Sequence, residues 1–228
     1  MKPNYQCLLF DADGTLFDYD RAESFALENT FRDLNLPMQP EDQETYRQIN
    51  HQVWVDFENG KITAAALRTR RFELLFEAIQ LKADAADFSA RYLVNLSQQS
   101  HLVEGAEAVI KALARKYHLA LITNGLSDVQ RPRLAGSPIA PFFQEVAISE
   151  EIGAAKPDPA YFQAVFDRIA PVQRDQALVI GDSLSSDIQG GINFGLDTCW
   201  YNPEGNPPKP GISPRYQIQH IEELLSFL

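Results

Sequence analysis

Four short segments of this sequence combine carboxylates, one lysine and small polar residues in an order suited to chemistry at phosphorus. They are Asp11-Ala12-Asp13-Gly14-Thr15-Leu16, Thr123-Asn124-Gly125, Lys156-Pro157, and Gly181-Asp182-Ser183 with Asp187 one helical turn later. Carboxylates drawn together repel unless a cation bridges them. Hard oxygen ligands with room for water favour Mg²⁺. A carboxylate held on Mg²⁺ stays ionised at neutral pH and can attack phosphorus, whereas a serine would need a base that this sequence does not supply. Asp11 is therefore the candidate nucleophile. Asp13, two residues on, is the candidate group to protonate a leaving oxygen and then deprotonate water. Phosphoryl transfer spreads charge over the equatorial oxygens and calls for fixed positive charge and donors there. Lys156, the Thr123 hydroxyl and the backbone N–H groups around Ala12, Asp13 and Asn124 would supply them.

Each segment stands just after an apolar run. Cys7–Phe10, Leu119–Ile122, Val146–Ile148, Ala177–Ile180 and Thr198–Tyr201 read as five strands buried on both faces, as parallel sheets require. Helical patterns lie between them, around Ala106–Tyr117, Tyr161–Ile169 and Leu184–Phe194. This alternation predicts an α/β fold with a doubly wound, mainly parallel, Rossmann-like sheet. In such sheets ligands bind beyond the carboxyl ends of the strands, which is where the four segments fall. From Arg21 to Ser100 the texture is helical almost throughout, broken at Leu36-Pro37, Asn59-Gly60 and Lys82-Ala83-Asp84. That block interrupts the chain after the first strand, so it reads as an inserted helical cap. The expected division is a core of residues 1–16 and 101–228 and a cap of residues 17–100. The Pro- and Gly-rich stretch Asn202–Pro214 reads as a loop leading to a last short strand and helix.

Composition bounds the partners. The formal charge of −11 argues against a nucleic-acid polymer, whose backbone is held by basic patches. It leaves room for a small phosphorylated substrate, since a metal ion and one lysine reverse the field locally. No stretch is apolar enough to span a bilayer, and Met1–Gln6 lacks a signal-peptide layout. Cys7 and Cys199 have no metal-ligand spacing and read as buried, reduced thiols. A cytoplasmic enzyme is the expectation; the sequence leaves monomer or dimer undetermined. In the cap, Phe25, Trp54, Phe57, Phe72 and Phe76 read mostly as bundle core, with one or two free to line a pocket. Arg68, Arg70 and Arg71 read as a solvated helix face.

Taken singly, each segment has a plainer reading. Asp13-Gly14 suits a hairpin turn, Thr123-Asn124-Gly125 a strand-to-helix turn, Lys156-Pro157 a helix start, and Asp182 and Asp187 the N-terminal end of a helix dipole. In this order and spacing, the four together resemble the motifs of the haloacid dehalogenase-like superfamily. The resemblance implies Asp11 as nucleophile and Asp13 as general acid/base. It implies phosphate binding by Thr123, Asn124 and Lys156, and Mg²⁺ held by Asp11, the main-chain carbonyl of Asp13 and Asp182, supported by Asp187. The acid at Asp13 points to phosphate esters rather than haloacids. The flanking text, Phe10–Glu23 and Ile148–Pro159 above all, is similar to the pyrimidine 5′-nucleotidase branch. A nucleoside monophosphate is then the expected substrate. A sugar or acid phosphate, phosphomutase action, or a catalytically silent binding module remain as alternatives.

Overall fold

The computed structural model describes residues 4–169 and 171–228; Met1–Pro3, the start of the segment read above as lacking a signal peptide, lies outside them. The sheet is built from β1 (Cys7–Asp11), β2 (His118–Thr123), β3 (Glu145–Ile148), β4 (Ala177–Gly181), β5 (Asp197–Tyr201) and β6 (Tyr216–Ile218). Its order is β3-β2-β1-β4-β5-β6, and every pairing is parallel. From β1 the chain winds outward through β2 and β3, then crosses back to β4 and winds the other way. The switch point therefore falls between β1 and β4. There the residue ends of the two strands lie side by side, Phe10 paired with Ile180.

All five residues of β1 are buried, and they alternate between two cores. Leu8 and Phe10 pack with α5 (Ala106–Leu113), through Val109, Ile110 and Leu113. Cys7 and Leu9 face Tyr161, Phe162 and Val165 of α8 (Pro159–Ile169). A strand covered on both sides has no polar face, which explains the unbroken run Cys-Leu-Leu-Phe. Cys7 and Cys199 are free and buried, and burial pushes each thiol up to about 12.

Residues between β1 and α5 form α1 (Tyr19–Asp33), α2 (Pro40–Glu58), α3 (Ala64–Ala78) and α4 (Ala85–Ser97). Asp18, Thr63 and Asp84 cap α1, α3 and α4 by accepting from backbone N–H groups of their first turns, and Pro40 opens α2. The four helices share a core of Leu27, Phe31, Tyr46, Val53, Phe72, Phe76, Phe88 and Tyr92. Leu126 and Val129 join that core from the sheet side, beside α6 (Ser127–Ala135). The two connections run antiparallel: Asp18 N–H donates to the His101 carbonyl at 3.0 Å and Val103 N–H to the Leu16 carbonyl at 2.9 Å.

Two expectations for the bundle fail. Phe25 is 41% exposed rather than core. The inward stripe of α1 is Ala22, Ala26, Leu27 and Phe31, so Phe25 projects from the opposite side, near His101 at 5.9 Å between ring centroids. Arg71 is not on a solvated face but buried, its guanidinium 5.1 Å from the ring centres of Phe72 and Tyr92. It donates to the Asn50 side chain at 3.1 Å, and Asn50 donates to Glu23 at 2.7 Å and to the Tyr19 hydroxyl at 3.2 Å. Arg70 is exposed beside Glu73 as expected. Trp54 and Phe57 are half-buried. Two elements of the sheet side have no counterpart in the sequence reading. Pro132 and a polar face disguise α6, and α7 (Ser149–Ile152) is a single turn.

Arg68 ties the bundle to the sheet side. It donates to Asp128 of α6 at 2.7 Å and to Glu150 of α7 at 2.9 Å, and Glu150 also accepts from Ser127 N–H at 2.8 Å. The pair groups are partly exposed, so their contribution to stability is small, about 1 kcal/mol. Arg68→Ala should therefore leave the global unfolding midpoint nearly unchanged. It should speed backbone hydrogen exchange in residues 16–19 and 98–104, where the bundle is attached. Unaltered exchange in both segments would show that Arg68 does not hold the bundle in place.

Candidate active site

Asp11 ends β1, Thr123 ends β2, and Gly181-Asp182 ends β4 at the switch point, so the sheet itself delivers these residues to one edge. A tight turn follows β1, closed by Phe17 N–H donating to the Ala12 carbonyl at 2.8 Å. Gly14 takes φ +83°, and a Cβ there would sit 2.7 Å from Asp182 Oδ2. Both the turn and the carboxylate beside it thus require glycine. Asp182 accepts from Thr15 Oγ1 at 3.0 Å, while its backbone carbonyl accepts from Trp200 Nε1 at 2.8 Å. After β4 the chain enters one wide helical turn, Leu184–Ile188. That turn carries Asp187 back to the sheet edge, where its Oδ2 accepts from Ser183 N–H at 3.1 Å.

The result is one cavity of about 480 Å³. Every residue singled out in the sequence lines it: Asp11, Asp13, Thr123, Asn124, Lys156, Asp182 and Asp187. Carboxylate oxygens of Asp11, Asp182 and Asp187 lie within 4.8 Å of one another, a set able to hold a metal ion. Lys156 Nζ donates to Asp11 at 2.5 Å, to Asp187 at 2.6 Å and to the Ile122 carbonyl at 3.3 Å. Three clustered acids thus stand beside one ammonium that pairs with two of them, an excess of negative charge that a divalent cation would relieve. Burial, then Asp187, pushes Asp182 up to about 7. Burial and Asp187 also hold Asp11 well above the carboxylate range, against the pull of Lys156. Burial alone would depress Lys156, but Asp11 and Asp187 outweigh it and hold the ammonium above its ordinary value.

The remaining residues are placed more indirectly. Asn124 Nδ2 donates to the Lys156 carbonyl and its Oδ1 accepts from Lys156 N–H, both at 2.8 Å. Its side chain thus fixes the lysine loop and leaves its backbone N–H for a ligand. Thr123 N–H donates to the Tyr161 hydroxyl at 2.9 Å, and Thr123 Oγ1 accepts from Gly125 N–H at 3.0 Å. Asp13 is outside the three-carboxylate cluster. Its carboxylate is held by Gln130 at 2.5 Å and by Arg133, both on α6.

Several lining residues carry no sequence signal. Tyr19, Trp54 and Glu58 come from the bundle, and Trp200, Asn202 and Asn206 from the end of β5 and its loop. Trp54 is the one bundle aromatic of those named earlier that reaches the cavity. Spacing does not reveal which face of α2 will meet the sheet.

An acidic cluster and a buried lysine at the switch point of an α/β sheet suit a hydrolytic enzyme, and comparison with known proteins gives the family. Residues 5–195 match the pattern described as haloacid dehalogenase-like hydrolase. The chain belongs to that family. It is 40% identical to the HAD-hydrolase YfnB of Bacillus subtilis over 98% of this chain and 95% of that protein. The crystal structure of YfnB bound to magnesium, described as revealing interdomain movement, superposes with a TM-score of 0.93 and 39% identity over 98% of both chains. Pyrimidine 5′-nucleotidase PynA of Streptococcus pneumoniae is 36% identical over 98% of this chain and 95% of its own length. Pyrimidine 5′-nucleotidase YjjG of Escherichia coli is 33% identical over 97% and 96%. Within its family the chain stands with phosphoric monoester hydrolases, as the motif text implies. Among the described residues no helix is long and apolar enough to cross a membrane.

The crowded acids make a testable linkage. In chelator, the folded state binds a proton at Asp182 more tightly than the unfolded chain does, since about 7 exceeds the ordinary 3.8. That stabilisation is complete below pH ~4 and is lost as pH rises through the folded value. Metal-free protein should therefore melt higher at about pH 5 than at about pH 8, and Mg²⁺ should raise the melting temperature more at the higher pH. Asp182→Asn should flatten both responses. A metal response equal at both pH values would refute the account.

Proposed function

We propose that this chain is a Mg²⁺-dependent phosphatase that hydrolyses nucleoside 5′-monophosphates, pyrimidines foremost, through an aspartyl-phosphate on Asp11. The placement of Asp11 carries the reading: it ends the central strand beside Lys156 at 2.5 Å, within the acidic cluster. The near-full-length likeness to two proteins named as pyrimidine 5′-nucleotidases supports the substrate class. Residues 17–100 act as a cap over the sheet edge and residues 1–16 with 101–228 as the core.

Asp11, the Asp13 carbonyl and Asp182 would hold Mg²⁺, with Asp187 supporting the set. Bound there, the ion supplies positive charge that lets an anionic carboxylate approach an anionic phosphoryl group. In the first half-reaction an Asp11 oxygen bonds to phosphorus while the ester P–O bond breaks. The leaving oxygen takes its proton from Asp13. In the second, Asp13 removes a proton from water, whose oxygen attacks phosphorus and releases inorganic phosphate and free Asp11. Lys156, Thr123 Oγ1 and the Asn124 N–H hold the equatorial oxygens. Asp13 must leave Gln130 and Arg133 to reach the ester oxygen, a side-chain rotation that a bound substrate and cap closure would favour.

Asp11→Asn should abolish turnover. Asp13→Asn should slow it on the order of 10²–10⁴-fold. In a single turnover its loss should be smaller for an aryl ester, whose leaving group needs no proton, than for a nucleotide. Equal losses on both esters would remove Asp13 from the acid role. For the substrate, kcat/KM is measured across pyrimidine and purine monophosphates, sugar phosphates, phosphoglycolate and N-acylneuraminate phosphate. A pyrimidine monophosphate should rank first. A sugar or acid phosphate ahead of every nucleotide by about tenfold or more would end the nucleotidase reading and leave the phosphatase intact.

A further inference from the structure

A second hollow adjoins the active-site cavity on its bundle side. Tyr19, Asp20 and Trp54 line both, whereas Glu23 and Asn50 line only the second. Every residue around the second hollow belongs to α1 or α2. The three shared residues are therefore the wall met by any group that extends from the strand ends toward the bundle.

Behind that wall lies a buried polar chain whose direction is fixed. Arg71, 1% exposed, donates to Asn50 Oδ1 at 3.1 Å. A guanidinium offers only donors, so the oxygen of the Asn50 amide has to face it. The amide nitrogen then faces the other way, donating to Glu23 at 2.7 Å and to the Tyr19 hydroxyl at 3.2 Å. This direction holds whether Glu23 is ionised or neutral, because Arg71 alone sets it. Tyr19 thus accepts from Asn50 and keeps its own O–H for another partner. Among the described residues that proton finds no acceptor. Burial, then Glu23, holds the hydroxyl above its ordinary value, so the proton stays on oxygen at neutral pH.

The outcome is one donor of fixed sense on a residue that both hollows share. Its counterpart is an acceptor oxygen. A leaving group that carries none leaves the donor unpaired in a partly dry site, which is costly. A nucleoside monophosphate offers such oxygens on its sugar and on the carbonyl groups of a pyrimidine.

We propose that Tyr19, oriented through Arg71 and Asn50, donates a hydrogen bond to an oxygen of the leaving group and so selects oxygen-bearing leaving groups over apolar ones. The inference rests on the phosphatase reading of this site, and not on the nucleotidase reading.

The test is kcat/KM for UMP, ribose 5-phosphate and phenyl phosphate, the last having no oxygen beyond the ester. All are measured in the Mg²⁺-loaded enzyme. Tyr19→Phe keeps the ring and removes the donor. It should lower the ratio of UMP to phenyl phosphate about threefold to tenfold, the worth of one such bond. Asn50→Asp keeps the hydroxyl but sets an ionised, acceptor-only group beside it, so Tyr19 would donate inward. It should lower the same ratio by a similar factor, and the double variant should lower it no further. A fall for UMP alone assigns the acceptor to the base, and a fall for UMP and ribose 5-phosphate together assigns it to the sugar; both support the donor. If UMP is a poor substrate throughout while the ribose 5-phosphate ratio falls, the nucleotidase reading fails and the role of Tyr19 stands. Should Asn50→Asp not fold, the Tyr19→Phe ratios alone decide. Ratios unchanged in Tyr19→Phe, or equal losses on all three esters, would overturn the proposal, as would a folded Asn50→Asp with wild-type ratios.

Discussion

Three carboxylates and one ammonium crowded at a sheet's switch point form an arrangement that a protein interior resists. Isolated, each acid would lose its hydration and gain a like-charged neighbour. The surrounding structure makes the crowding tolerable. Parallel pairing brings Asp11 and the end of β4 level. The turn at Gly14 opens space for Asp182, and the wide turn after β4 returns Asp187 to the edge. Lys156, 2% exposed, sits where it can bind two of the acids at once. The excess of negative charge is what would give the site affinity for a cation. Relieving it with hydrophobic substitutions would favour stability and remove the chemistry, a trade expected of strained functional sites.

The backbone of this arrangement is readable from residue order because a doubly wound sheet reports itself twice. Its strands are uninterrupted apolar runs, and its ligand groups follow those runs directly, as Asp11 follows Phe10 and Thr123 follows Ile122. What escapes is whatever depends on packing between distant segments. Arg71 looks like a surface cation, since its neighbours Arg68 and Arg70 are partly exposed. Only the fold brings it to Asn50 and the rings of Phe72 and Tyr92. Phe25 lies six residues before Phe31, about 240° round the helix, so it points outward while Ala22 and Ala26 supply the close contact that helix packing requires. Helix α6 hides behind Pro132, which local rules read as a breaker. Glu58 precedes Asn59-Gly60, a helix end with no local hint that it faces a cavity.

Helix α6 joins the two halves of the molecule. Its residues Leu126 and Val129 pack into the bundle's apolar core, while Gln130 and Arg133 hold the carboxylate of Asp13. Arg133 also donates through Nε to the Gln99 carbonyl at 2.8 Å and lies 4.8 Å from the ring centre of Phe17. Gln99 and Phe17 belong to the two connections between bundle and sheet. One buried guanidinium therefore touches both connections and the side chain proposed to handle the proton. Displacing either connection changes the partners left for Arg133, and a buried cation deprived of partners is costly. The position of the bundle and the orientation of Asp13 are consequently coupled through a single residue.

That coupling divides the work of the molecule along its chain. On the proposed function the strand ends would govern what happens at phosphorus, because Asp11, Lys156 and Asp182 are set by a sheet that is covered on both faces. The bundle would, on the same proposal, shape what lies beyond the ester oxygen, since it contributes Tyr19, Asp20, Trp54 and Glu58 to the cavity. Neither half contains a complete site. On that reading chemistry at phosphorus would stay constant while residues on α1 and α2 change the leaving group that fits, provided the α6 contacts between the bundle and Asp13 are kept. Arg133 and Gln130 are buried at 0% and 3% exposure. They are packed where the restraint on Asp13, the proposed proton-transfer group, comes from α6 and not from the cavity residues of α1 and α2.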